Sequence, residues 1–223
     1  MKRITVIVLL SVCFPVLSFS DEEIRISEQD EPGLLASFSE KLGGIRDFSV
    51  EFIQEREIAL FQDTLISRGY CYFSSPDKLR WEFTQPYRSI LIYNKGKTSR
   101  FDTVDGRLRK LEQGQNELIG TVLGEILFWM RGDFSRSKDT YDLNIFKSPA
   151  GKTYRVRLVP LSVEFLKVIR EIDLVFDGKT YMVVRVVLTD GNGDRIVISF
   201  DNQKNNQGLN PGLFDINNPA SGF

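Results

Sequence analysis

The sequence predicts a mainly β protein of the α+β class, a long antiparallel sheet with one apolar face and a few helices to cover it. Three observations carry the prediction. Apolar and polar side chains alternate along most of the chain, glycine-bearing turn sequences divide the alternating segments, and only two stretches repeat apolar residues at helical spacing. Seventeen Phe residues, with many Val and Ile, agree, because aromatic and β-branched side chains fit a pleated surface. With 223 residues and 42% hydrophobic content, the chain can bury one sizeable core.

The first segment reads as a targeting signal. "MKRITVIVLLSVCFPVLSFSDEE" places Lys2 and Arg3 before an apolar run from Ile4 to Phe19, with Ser18 and Ser20 at small-residue cleavage positions. The run falls short of the roughly 20 residues that a spanning helix needs, and Asp21 to Glu23 follow it directly. Residues 1–20 are therefore expected to be a cleaved secretory signal peptide, and residues 21–223 a single domain. A retained anchor is the alternative; lipid attachment at Cys13 would want a small residue where Val12 stands. Cleavage leaves 27 basic and 30 acidic residues, a net charge of −3, which offers no basic field for nucleic acid. Cys71 is then the only cysteine, so no internal disulfide is available, and its place between Tyr70 and Tyr72 suits a packed strand residue.

Two helices are expected. Residues 31–42, "EPGLLASFSEKL", carry Pro32 in the first turn, Leu34, Leu35, Phe38 and Leu42 at helical spacing, and Gly43-Gly44 as a stop. Residues 116–131 run from Asn116 as cap through Leu118, Ile119, Val122, Leu123, Ile126, Leu127, Trp129 and Met130 to Arg131, with Gly132 as terminator. That helix is apolar almost all round, as a buried helix is, and Gly120 and Gly124 inside it also suit a cover that shifts.

The rest reads as about ten strands. Phe48, Val50 and Phe52 alternate, as do Ile90 and Ile92; Tyr154, Val156 and Leu158; Ile172, Leu174 and Phe176; Met182, Val184, Val186 and Leu188; and Ile196, Ile198 and Phe200. "NKGK" at 94–97, Asp105-Gly106, Asp177-Gly178 and "DGNGD" at 190–194 supply the positive-φ residues of tight antiparallel connections. "RLRK" at 107–110 reads as a solvated strand face. The bulkiest alternation is "SPDKLRWEFTQP" at 75–86: Leu79, Trp81 and Phe83 fall on one face, Arg80, Glu82 and Thr84 on the other. Such a face packs against protein core or against an apolar ligand, and the residues support both readings.

Several chemistries are absent. With no histidine there is no Ser-His-Asp or Cys-His machinery and no His-ligated zinc, and one mature cysteine rules out a four-thiolate cluster. No glycine-rich phosphate loop or spaced acidic calcium loop occurs, and no pair among the 30 acidic residues stands out as a glycosidase dyad. The reading is a binding protein rather than an enzyme, with no cofactor and no metal.

"VEFIQ" at 50–54, "SSPDKLRWEFTQPYRSILIYNKGKTSRFD" at 74–102, "LTDGNGDRIVISFDNQKNN" at 188–206 and the tail "LFDINNPASGF" resemble, in order and spacing, the LolA family of periplasmic lipoprotein carriers. The most specific element is the pattern of Pro76, Leu79, Arg80, Trp81 and Pro86, followed by an apolar strand and a glycine turn. The resemblance implies an incomplete antiparallel β-barrel, a half-barrel, with helices forming a lid over a hydrophobic cavity. It implies a periplasmic, monomeric carrier that binds the acyl chains of lipoproteins or other lipids. Its partners would be an inner-membrane release complex and an outer-membrane acceptor. The lipid wall is then expected to be Phe52, Leu79, Trp81, Phe83, Ile90, Ile92, Leu123, Ile126, Leu127 and Met130. Arg80 and Glu82 are expected to point outward, so that Arg80→Gln spares binding, while Trp81→Gln weakens it at less cost than emptying a packed aromatic site.

The sequence departs from the family at one place. Many members carry an Arg just before the Pro of this strand, credited with holding the lid closed; here Ser75 stands there, without the guanidinium fork. An envelope lipid-binding or sensor module on the same fold is the alternative function. An outer-membrane barrel fits poorly, since "DINNPASGF" does not alternate.

Overall fold

The computed structural model describes residues 23–58, 64–111, 125–126, 128–135 and 137–222. The expected signal peptide and the first part of the second helix, with Asn116, Leu123 and Leu127, lie outside them.

One antiparallel sheet of twelve strands makes up the scaffold, in the order β1-β8-β9-β10-β11-β12-β2-β3-β4-β5-β6-β7. The strands are β1 (Ile24–Arg25), β2 (Asp47–Glu57), β3 (Thr64–Ser74), β4 (Lys78–Gln85), β5 (Ser89–Asn94), β6 (Lys97–Val104), β7 (Arg107–Lys110), β8 (Tyr141–Lys147), β9 (Thr153–Pro160), β10 (Ile169–Asp177), β11 (Val183–Asp190) and β12 (Arg195–Asn205). The first and last in that order do not pair, so the sheet stays open. It curls: Val168 and Ile169 at the start of β10 and Leu91 on β5 line one cleft, although β11, β12, β2, β3 and β4 lie between them in the sheet. A curled, unclosed antiparallel sheet is the half-barrel.

The strand count exceeds the sequence reading at pieces too short to show a period. β1 is two residues that pair with Phe146 and Lys147. A second departure lies in β11, where Val186 and Leu188 face inward as expected but Val183, not Val184, takes the next buried place. A register shift between Val175 and Phe176 pairs Phe176 with Val183 and leaves Val184 as the extra residue of a bulge, 36% exposed. The turns hold their positive-φ residues at Lys95-Gly96 and Asp105-Gly106; at 177–181 that role falls to Tyr181, not to Asp177 or Gly178.

Helix α1 (Glu31–Leu42) has Pro32 in its first turn and buries Leu35, Phe38 and Leu42. The ring of Phe38 stacks on Phe176 at 4.7 Å between centroids and meets Tyr181, Tyr154 and Phe134 edge-on or tilted. Residues 125–126 and 128–130 belong to the second helix, with Ile126, Trp129 and Met130 buried. It ends on Gly132, whose φ of +73° and approach to the Phe38 backbone, 2.6 Å from where a Cβ would lie, exclude any other residue. Ser39 Oγ donates to the Gly132 carbonyl, joining the two helices.

The outer face of β4 and β5 is covered as well. Pairing sets Arg80 beside Ile92 and Glu82 beside Ile90 on that face. The tail folds back over it: Leu213 and Phe214 of the 3₁₀ turn Pro211–Phe214 pack on Ile90, Ile92 and Phe101 in a second cluster. Arg80 and Glu82 thus point outward as expected, but they meet protein, at 0% and 4% exposure. Arg80 Nη2 lies 2.8 Å from Glu82 Oε2 and Nη1 donates to the Leu213 carbonyl at 3.1 Å, while Arg88 holds the other Glu82 oxygen at 2.8 Å. Asn94 and Lys110 donate to the Phe214 and Ile216 carbonyls.

Two outcomes follow. Arg80→Gln leaves Glu82 buried with only Arg88 and is expected to cost about 3–5 kcal/mol in urea unfolding, whereas Arg195→Gln, in a half-exposed pair with Glu57, should cost less than about 1 kcal/mol. Cys71 is fully buried and burial pushes its thiol far up, so it should resist maleimide in the native protein and label on unfolding.

Candidate functional site

Alternation along β2, β4, β10, β11 and β12 sends one side chain in two to the concave face, where a single cluster runs from α1 to Trp81. Its two ends differ. At one, α1 brings Phe38 against Phe134, Phe176, Tyr154 and Tyr181. At the other, a cleft of about 560 Å³ remains, within the range of small-molecule sites. Its wall is apolar: Trp81, Phe83, Leu91, Ile169, Leu188, Ile196 and Ile198, with Val168 and Tyr87 at the edge. Two further clefts, around Glu51 and Arg68 and beside Asp47 and Asn206, have walls of mixed polar and apolar character.

Polar groups form a collar above the apolar wall. Gln54, Arg56, Ser67, Gln85, Ser89, Arg100, Asp190 and Asp194 line it. Asp102 accepts from Ser89 Oγ at 2.5 Å and from Arg100 Nε at 3.0 Å, and Arg56 lies 3.9 Å from Asp194. The order is that of an amphiphile, apolar within and hydrogen-bonding at the rim.

The expected lipid wall divides. Trp81 and Phe83 line the cleft. Leu79, Ile126 and Met130 are buried in the main cluster away from it. Phe52 backs the wall, its ring 4.4 Å from Trp81 and 5.3 Å from Phe83, and it lies over Gly69, where a Cβ would meet the Phe52 ring at 2.8 Å. Ile90 and Ile92 do not reach the cleft, because they pair with Glu82 and Arg80 and so share the outer face, under Leu213 and Phe214. Leu91 takes the place given to them. Leu123 and Leu127 lie outside the described residues. Leu91, Leu188, Ile196 and Ile198 were missed as wall residues; the register of β5 on β4, which no local pattern contains, is what selects Leu91.

The junction around Ser75 has its own contacts. Ser75 donates its backbone N–H to the Arg46 carbonyl. The guanidinium at this junction comes from the helix side: Arg131 lies over the Phe73 ring at 5.2 Å and donates to the Pro76 carbonyl at 3.4 Å.

The sequence profile of the family described as outer membrane lipoprotein carrier protein LolA matches residues 43–217, most of the chain. This chain belongs to the LolA family. An outer-membrane lipoprotein carrier protein of Methylococcus capsulatus is 27% identical over 179 residues, 80% of this chain and 81% of that one. Among solved structures, a DUF1329 family protein of Desulfovibrio piger is 12% identical with a TM-score of 0.47, over 85% of this chain and 98% of that one. A LolA superfamily protein of Nitrosomonas europaea is 14% identical with a TM-score of 0.41, over 81% and 97%. The MucA/MucB complex of Pseudomonas aeruginosa matches at 15% identity and a TM-score of 0.40, over 83% and 60%. The match to the LolA profile begins at Gly43, so it covers β2 to β12 and the tail but leaves out α1.

Stability and binding should separate along the wall. Trp81 is 3% exposed and packed on Phe52 and Phe200, so Trp81→Gln is expected to carry the full cost of an aromatic core site, about 3–5 kcal/mol, and not the reduced cost of an under-filled one. Half-buried Phe83 is the better probe: Phe83→Gln should weaken uptake of a fluorescent fatty acid roughly tenfold with little change in the urea midpoint.

Proposed function

We propose that the protein is a periplasmic carrier that takes the acyl chains of lipoproteins into this cleft and moves them from the inner to the outer membrane. Residues 1–20 are removed on export and residues 21–223 act as a single monomeric carrier domain. The observation that carries the reading is the unequal filling of the half-barrel. Among the described residues, one end of an apolar trough is packed by aromatic rings, and the other opens as a cleft with a polar collar. Membership of the LolA family supports it.

The physical need for such a carrier is simple. Each acyl methylene exposed to water costs about 0.8 kcal/mol, so a multiply acylated protein leaves a bilayer at a useful rate only into a second apolar site. The chemistry required is binding alone. The chains lie along Trp81, Phe83 and Leu91, and the glyceryl and peptide groups next to them meet the collar. An inner-membrane release complex loads the cleft and an outer-membrane acceptor empties it.

Loading is the test. The purified protein, mixed with inner-membrane vesicles carrying a radiolabelled lipoprotein and its release complex, should bring that lipoprotein into the soluble fraction. The same lipoprotein with its acylated cysteine replaced should not be bound. Equal recovery of the acylated and unacylated forms, or recovery of neither, would overturn the carrier reading.

A further inference from the structure

We propose that the open end of the half-barrel docks directly on a phospholipid bilayer, with its exposed apolar residues entering the interface so that the mouth of the cleft is sealed against lipid. The inference deepens the carrier reading and rests on it only in the use made of the cleft.

Antiparallel order fixes which loops share an end. The β2–β3, β4–β5, β6–β7, β9–β10 and β11–β12 connections all fall at one end of the sheet, because each of those first strands runs the same way. That end is the mouth, since the wall uses the last residues of β2, β4 and β11 and the first of β3, β5, β10 and β12. Eleven large hydrophobic residues are exposed among the described ones, and seven are here: Leu65 and Ile66 at the start of β3, Tyr87 after β4, Val104 at the end of β6, and Leu161, Val163 and Val168 between β9 and β10. Tyr87 stands 81% exposed, Val163 64% and Leu161 57%. At the opposite end only Ile24 and Val184 are exposed, and Ile53 and Tyr70 lie on the outer face.

Scattered apolar residues on a surface need no explanation, but a concentration around one opening does. The rim is continuous with the cleft, because Tyr87 and Val168 belong to both. Charges of both signs are interspersed on it: Arg56 lies beside Asp194, Arg195 pairs with Glu57 and Arg109 lies beside Asp105, while Glu164 and Lys167 stand on the β9–β10 connection. Such a rim has no strong field of either sign, so it is suited to the headgroup region of a zwitterionic bilayer, where an aromatic ring with a hydroxyl and short aliphatic side chains settle. Seated there, the cleft opens into hydrocarbon and a chain enters without crossing water.

The test is flotation of the protein with phosphatidylcholine vesicles. The parent should float, at low and high salt alike. The double variant Leu161→Asp/Val163→Asp, outside the cleft, should float roughly tenfold less while taking up a fluorescent fatty acid as the parent does. Ile66→Asp, at the start of β3, should shift flotation the same way and decides the matter if the double variant does not fold. Tyr70→Ser on the outer face should change nothing. If the parent does not float, or the rim variants float equally, docking is overturned and the mouth meets a protein instead; retained fatty-acid uptake then leaves the carrier reading standing. If fatty acid does not bind while flotation still depends on the rim, docking stands and the carrier reading falls.

Discussion

A single antiparallel sheet has two faces and, where it fails to close, two edges, and the chain itself must cover the apolar ones. Everything distinctive about this fold follows from how unevenly it does so. Among the described residues, the concave face receives α1 and the end of the second helix, away from the cleft. The convex face of β4 and β5 receives the tail, and the bare edges are β1, two residues long, and the basic strand β7. Short and charged edges resist pairing with other chains, so the open sheet avoids the association its free backbone would invite. Among the described residues, one stretch of apolar wall lines an open cleft, and it is the candidate site.

Covering both faces of β4 and β5 sets the rigidity of that wall. Ile90, Leu91 and Ile92 are all buried, which is possible only because cover lies on both sides. The Arg80–Glu82–Arg88 cluster, with the Leu213 carbonyl, holds the tail against the back of the strand that carries Trp81. A charged group so placed contributes little net stability over an apolar one, yet it fixes a single arrangement of strand and tail. Trp81 and Phe83 are therefore presented from a strand packed on both faces.

Much of this was legible in the sequence, and the misses have a common cause. The bounds of α1 followed from Pro32 and Gly43, and the inward set of β2, β4, β10 and β12 from alternation, because both signals are local. Ile90 and Ile92 were assigned to the wrong face because Ile90, Leu91 and Ile92 form an unbroken apolar run in β5, and only its register on β4 tells its two sides apart. The same blindness applied to Arg80: alternation gave its direction, but a tail more than 130 residues later decides that it meets protein and not water. The bulge at Val184 defeated a regular period in the same way. The departure at Ser75 was visible, whereas its counterpart Arg131 was not, because the contact joins two elements across the fold.

The packing of Gly132 against Phe38 has a consequence for traffic. With the Ser39 hydroxyl on the Gly132 carbonyl and no space for even a methyl group between the two backbones, α1 and the end of the second helix form one plug at the far end of the trough. Among the described residues, the trough is then closed at one end and open at the other. On the carrier proposal, loading and unloading would use that opening in turn, and a cargo whose chains lay inside would keep its own folded part outside it. Donor, carrier and acceptor would then meet in separate encounters rather than as one bridge, with direction set by which neighbour holds the chains more tightly.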